Sequence, residues 1–319
     1  KMNKEKVFEF IMNEYYDPKM ENVTSNYMKM FALHMILASV DSLNMLDQLQ
    51  KNKKDIVDFI ASCYKNGLYS GYELGDGHIL YTFNALQSLL TIESLDQVTE
   101  EMQLQIRATI LSLFNDSGFY GDLILKEIDS RFIMSAVGSL FILSKFFKKP
   151  ELFLDPTQID KVYNILLKLI NDDGGVGSSF QMESHAANVF CTVCTLKMLN
   201  KQLPPPQLQK LKFYLLQRQT TSGGFNGRPE KLQDSCYAHW CGVPLQILQI
   251  PFQKGNLKLF LGDCWDPKSG GFADRPEDEA DLFHTHFSVG FLSGFPEFGL
   301  GKLDLVLNVR EEKVKGWFE

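Results

Sequence analysis

An all-α fold is predicted, a closed α/α toroid of six inner and six outer helices (an α6-α6 barrel), and three features of the sequence predict it. Glycine-marked turns recur at Gly67, Gly118, Gly174, Gly223 and Gly270, spaced 51, 56, 49 and 47 residues apart. An amphipathic segment precedes the later turns and an apolar stretch follows each one. No run alternates apolar and polar residues long enough to read as a strand. A repeat of this length marks one supersecondary unit used over and over, here a pair of helices.

Each element follows from its own stretch. Residues 26–46, NYMKMFALHMILASVDSLNML, are apolar nearly throughout and read as the first inner helix. In DIVDFIASCYKNG (55–67) apolar residues fall at i, i+3, i+4 and i+7, which leaves one solvated face and marks an outer helix. HILYTFNALQSLL (78–90) is the second inner helix. Further inner stretches begin at Arg131, His185, Cys236 and His284, each 11 to 14 residues past its glycine. QLQKLKFYLLQRQ (207–219) is an outer helix entered through Pro204–Pro206, since proline is tolerated in a first turn. Closing the buried helices on one another makes residues 1–319 one domain.

Composition excludes several classes. A net charge of −7 argues against a general nucleic-acid binder. No apolar run approaches the roughly 18 residues of a membrane span, and KMNKEKVFEFIMNEYY at the start is not a signal peptide. Six cysteines at scattered spacings read as reduced thiols, so a cytoplasmic protein is expected.

Polar residues stand at the starts of five inner helices: His78, Arg131, His185, Cys236 and His284. Helices packed in parallel bring such residues to one mouth, a polar rim over an apolar funnel. One alternative is that they are simple caps. Asp234, Cys236 and His284 offer an oxygen, a sulfur and a nitrogen from two neighbouring helices, and three protein ligands leave a fourth position open, as in catalytic zinc sites. His239 and His286 lie at other helical phases and read as rim or helix-contact residues. Cys191 and Cys194, inside an apolar helix, read as core. Arg228 and Lys231 in a glycine-rich turn, with Tyr237, make a receptor for a phosphate or diphosphate, to which His185 and Arg131 can add. The alternative there is a solvated turn with Arg228 paired to Glu230. Trp240, Phe190, Phe132, Phe83 and Tyr81 are candidates for the funnel lining.

GGVGSSFQMESHAANVFC, GGFNGRPEKLQDSCYAHW and GGFADRPEDEADLFHTHF resemble the β subunits of protein prenyltransferases, and the resemblance runs from about Ser25 to Gly294. GRPEKLQD, EIDSRF and GGFADRP are most similar to the Rab (type II) geranylgeranyl enzymes, whereas DGHILYTFNAL, CYAHWCG and LNV near 307 are similar to type I. The resemblance implies one zinc ion held by Asp234, Cys236 and His284, with Lys231 and Tyr237 also catalytic. It assigns a diphosphate to His185, Arg228, Lys231 and Tyr237, and an isoprenoid wall to Arg131, Met134, Cys191 and Trp240. It leaves open a magnesium ion at Asp274. Geranylgeranyl or farnesyl diphosphate is the implied donor, a small GTPase the acceptor, with a Rab escort protein for the type II case, and a helical α subunit the partner. His239, Met134 and Asn188 depart from the family pattern. The first inner helix aligns in two registers, which puts Phe31 or His34 where geranylgeranyl enzymes carry a small residue. A triterpene cyclase would need an acidic D-x-D-D run, which is absent, and a binding-only toroid would need no metal triad. KVYNILLKLI (161–170) and LKFYLLQRQ (211–219) carry more apolar residues than a solvated face requires, which predicts a covered outer wall.

Overall fold

The computed structural model describes residues 2–16 and 26–319; Ser25 lies outside them. Its helices are α1 (Lys4–Tyr16), α2 (Lys29–Ser42), α3 (Lys53–Ser62), α4 (Ile79–Thr91), α5 (Glu100–Ser112) and α6 (Ser130–Phe146). They continue as α7 (Pro156–Leu169), α8 (Ala186–Met198), α9 (Pro205–Leu216), α10 (Tyr237–Trp240), α11 (Gly242–Ile247), α12 (Lys254–Cys264) and α13 (Leu282–Leu292). In α2, α6 and α8 nearly every residue is buried, whereas α7 buries only Val162, Ile165, Leu166 and Leu169, a single stripe. Its start is fixed by Asp155, which forms a capping box with Gln158, and by Pro156 in the first turn. Around the centre α2 packs on α4, α4 on α6, α6 on α8, α8 on α10 and α11, α10 on α13, and α13 back on α2. The predicted toroid is therefore closed.

The fifth inner helix departs from expectation, because it is broken between α10 and α11. Pro244 has no N–H to give the Trp240 carbonyl, and Gly242 lies so close to Phe291 that a Cβ would meet that ring at 2.7 Å.

All five glycines read as turn markers take positive φ, between 82° and 127°. At Gly223 an added Cβ would also meet the Asn256 carbonyl oxygen of α12 at 2.5 Å, and at Gly270 the Lys6 carbonyl oxygen of α1 at 2.4 Å. Each of these turns docks on the next outer helix, and Gly270 closes the outer ring on α1. Just past each glycine a residue sinks between the two rings: Tyr69, Phe119, Val176, Phe225 and Phe272, none more than 1% exposed. Each bridges back to the end of its outer helix. Two of these bridges extend into short antiparallel ladders, β1 (Tyr64–Lys65) with β2 (Leu68–Tyr69) and β3 (Phe114–Asn115) with β4 (Gly118–Phe119).

Inner-helix starts share one end of the barrel. The N–H groups of Met30, Ile79, Ser130, Ala186 and Ser235 donate to the carbonyls of Gly71, Gly121, Ser178, Gly227 and Asp274, each in the turn of the following repeat. That end is the mouth. The opposite end is crossed by residues 303–318. Gln87 Nε2 donates to the Leu307 carbonyl at 2.6 Å, Asn308 Nδ2 meets His286 Nε2 at 2.6 Å, and Arg310 donates to the Asp41 carbonyl at 2.8 Å. Phe318 stacks on Phe141, with centroids 5.0 Å apart. This segment ties α2, α4, α6 and α13 together and floors the barrel.

The expectation about the outer wall holds only in part. In α7 the apolar residues are absorbed by the chain itself, while α9 leaves Phe213 60% exposed. More apolar surface lies in the mouth loops, at Leu74, Leu125, Phe180 and Leu232. Among the described residues no helix is long and apolar enough to cross a membrane.

Candidate active site

The polar residues of the mouth do not share one helical phase, as the sequence suggested. The equivalent position in the five later repeats is held by His78, Asp129, His185, Asp234 and Asp281, each of which accepts a bond from an N–H two or three residues on. Arg131 and Cys236 stand two residues past this position and His284 three. The cap reading is thus correct for His78 and His185, whereas Asp234 accepts from the Cys236 N–H in the turn before α10 and also faces the thiol. Caps of this kind are worth about 1 kcal/mol each and fix where the next side chains point.

Asp234, Cys236 and His284 come together, with ligand atoms within 4.8 Å of one another. His284 Nε2 lies 3.3 Å from Asp234 Oδ1, and its Nδ1 lies 2.6 Å from Asp281 Oδ2. A carboxylate behind a histidine fixes its tautomer and orientation, the arrangement that supports metal-bound imidazoles. Burial disfavours the charged form of His284, but hydrogen bonds to Asp234 and Asp281 outweigh it and raise its pKa to about 9. Burial also opposes ionisation of Asp234, yet its bonds to His284 and Cys236 hold it below the usual carboxylate range. The Cys236 thiol is pushed far up, first by burial and then by Asp234. One oxygen, one sulfur and one nitrogen at this spacing fit a zinc ion with a position left open. Asp281 was missed in the sequence, although an aspartate three residues before His284, at the head of an apolar run, is an N-cap signal.

Beside this trio, His185 Nε2 lies 3.1 Å from the Tyr237 hydroxyl. His185 Nδ1 accepts from the Ala187 N–H at 3.2 Å, so the ring proton sits on Nε2 and points at Tyr237. Burial and then Arg228 lower the His185 pKa, so the ring stays neutral. Gly227 packs directly on Tyr237, where a Cβ would meet the hydroxyl at 2.3 Å. Arg228 pairs with Glu183 rather than with Glu230, and Lys231 is exposed with no carboxylate partner among the described residues. A cleft of 360 Å³ at the mouth is lined by Arg131, Asn188, His185 and Arg228. Arg131 stands there clamped by Asp129 at 2.8 Å. Asp274 is engaged by Arg275 at 3.1 Å.

Below the mouth runs a file of aromatic rings. Trp240 lies 4.9 Å from Phe190 and 4.4 Å from Phe287, Phe287 lies 4.7 Å from Phe283, and Phe283 touches both His284 and Phe31. Tyr81 and Phe132 gather around His78, and Phe83 packs on Gly138. Met134 and Cys191 are buried. His239 and His286 are not rim residues: they are 3% and 1% exposed. His286 bonds Ser39 of α2 at 2.9 Å, and its ring lies 5.9 Å from that of the buried His34.

The description "Prenyltransferase alpha-alpha toroid domain" matches residues 2–309. The chain is 34% identical over 300 residues to the geranylgeranyl transferase type-2 subunit beta of Saccharomyces cerevisiae, covering 91% of this chain and 88% of that one. It is 26% identical over 308 residues to the type-1 subunit beta of Arabidopsis thaliana, covering 85% and 79%. Its fold superposes with a TM-score of 0.81 on Candida albicans protein geranylgeranyltransferase-I complexed with GGPP, at 20% identity, over 100% of this chain and 98% of that one. Sequence and fold agree, and the chain belongs to the prenyltransferase α/α-toroid family, as a β subunit of the protein prenyltransferase kind.

Proposed function

We propose that this chain is the catalytic subunit of a zinc-dependent protein prenyltransferase. It moves a geranylgeranyl group from its diphosphate to C-terminal cysteine thiols of Rab-type small GTPases brought by an escort protein. It acts in the cytoplasm as one domain, paired with a helical α subunit. The observation that carries this reading is the meeting of Asp234, Cys236 and His284 beside the His185–Tyr237 pair and the Arg228–Lys231 loop.

Asp234, Cys236 and His284 would hold the ion, with Asp281 keeping the His284 ring in place. When bound, zinc supplies the Lewis acidity that keeps an acceptor thiol deprotonated at neutral pH. In the transfer the thiolate sulfur forms a bond to C1 of the allylic diphosphate, the C1–O bond breaks, and the diphosphate leaves with the electron pair. Because His185 gives its Nε2–H to the Tyr237 oxygen, the Tyr237 O–H is free to donate to the departing oxygen. Arg228 and Lys231 meet the charge that develops there, as donors set in place beforehand. The file from Trp240 to Phe283, with Met134 and Cys191, offers the hydrocarbon tail a dry wall.

Phe31, placed against Phe283, favours a second reading in which a shorter pocket takes farnesyl diphosphate and a CaaX acceptor. A prenylation assay crossing farnesyl and geranylgeranyl donors with a CaaX protein and an escorted Rab decides between them. Zinc content is measured on the same sample. About one zinc per chain and geranylgeranyl transfer to Rab are expected. Turnover without metal would overturn the zinc reading, and a chain that binds proteins but transfers neither lipid would be a non-enzymatic toroid.

A further inference from the structure

Both cations of the proposed anion site sit on one loop, residues 226–231, and that loop is braced from beneath. Asn226 is 8% exposed, and its Nδ2 donates to the Lys231 carbonyl at 2.8 Å, tying the first residue of the loop to the last. Its backbone N–H donates to the Arg218 carbonyl at 2.9 Å. In between, the Gly227 carbonyl accepts from the Tyr214 hydroxyl at 3.1 Å and the Ala186 N–H at 2.9 Å. Two polar atoms of this brace are buried without a partner: Asn226 Oδ1 and Arg218 Nη1. Arg218 is 5% exposed, donates from Nε to the Tyr214 carbonyl at 3.3 Å, and lies over the Tyr214 ring at 4.8 Å.

We propose that Asn226 is a positioning residue for the leaving-group site: by holding the Lys231 carbonyl, it sets where the Lys231 ammonium stands. This rests on the reading that Arg228 and Lys231 receive the diphosphate. Asn226 touches no substrate, so its effect must pass through Lys231. A displaced ammonium costs most when the leaving group gathers charge, so the loss falls on the transfer rate more than on donor affinity.

A double-mutant cycle on the zinc-loaded heterodimer tests this. Asn226→Ala, Lys231→Ala and the double variant are compared by single-turnover transfer, donor affinity, metal content and melting. Asn226→Ala is expected to slow transfer about tenfold, with donor affinity and metal near wild type, and the double variant to be no slower than Lys231→Ala alone. Asn226→Asp, of the same size but unable to donate to the Lys231 carbonyl, carries the same cycle should the alanine variant misfold. Additive losses overturn the proposal while leaving the diphosphate site standing. Wild-type speed in Lys231→Ala removes the diphosphate site itself, and the proposal with it.

Discussion

His284 and Cys236 both hold protons at neutral pH in the metal-free protein, the first because Asp234 and Asp281 raise it to about 9, the second because it is buried beside a carboxylate. A metal ion must displace both protons, so zinc uptake at pH 7 should release about two protons per ion, and affinity should fall as pH is lowered. Calorimetry in buffers of differing ionisation enthalpy reads that number; uptake without release would contradict the site. Asp281→Asn keeps a helix cap but loses the carboxylate behind His284, and metal affinity should drop roughly ten- to hundredfold with little change in melting. For Lys231→Ala, transfer should slow by about one to two decades with zinc content unchanged. His34, His239 and His286 act on stability instead. Burial holds all three neutral, the last two with pKa near 3. Below about pH 6.5 the unfolded chain takes up protons that the folded chain refuses, so His239 and His286 each cost up to about 1.4 kcal/mol per pH unit as pH falls toward 3, and His34 acts in the same direction. Urea titrations between pH 6 and 4.5 should show this loss, and a flat profile would exclude it.

At the scale of elements, the glycine turn and the buried residue behind it, aromatic in four of the five repeats, are the unit that holds inner and outer helices together. Phe225→Ala should cost about 3–5 kcal/mol, because the ring is fully buried and rigid helices on both sides cannot close the gap. Gly223→Ala should destabilise through both its φ of +92° and the Asn256 carbonyl, whereas Gly255→Ala, with open space around it, should not. Denaturant midpoints of the three variants check the order. These turns were legible in the sequence because only glycine fits them. The phase of the inner-helix starts was not, since His78, Asp129 and Asp281 are equally plausible as caps or as site residues until backbone bonds fix the register. Nor was the break before Gly242 anticipated, although Pro244 is its visible cause. The floor made by residues 303–318 had no signal at all, because irregular chain held by scattered side-chain bonds has no period to detect.

For the whole molecule, the apolar side chains gathered at the mouth loops, with Phe213 on the outer wall, form the surface that a permanent partner would cover. The isolated chain should therefore self-associate in sedimentation and become monodisperse when co-expressed with an α subunit. A well-behaved monomer with full turnover would refute the heterodimer. Ring closure brings a further consequence. Lys6 donates to the Pro267 carbonyl at 2.7 Å, and α2 is flanked by α13, so the first repeat has no neighbour on one side until the sixth exists. During synthesis the growing arc carries an open edge of bare inner and outer helices for some 250 residues, on the order of ten to fifty seconds of translation. Such an edge stays open to capture by the edge of another nascent chain until the ring closes.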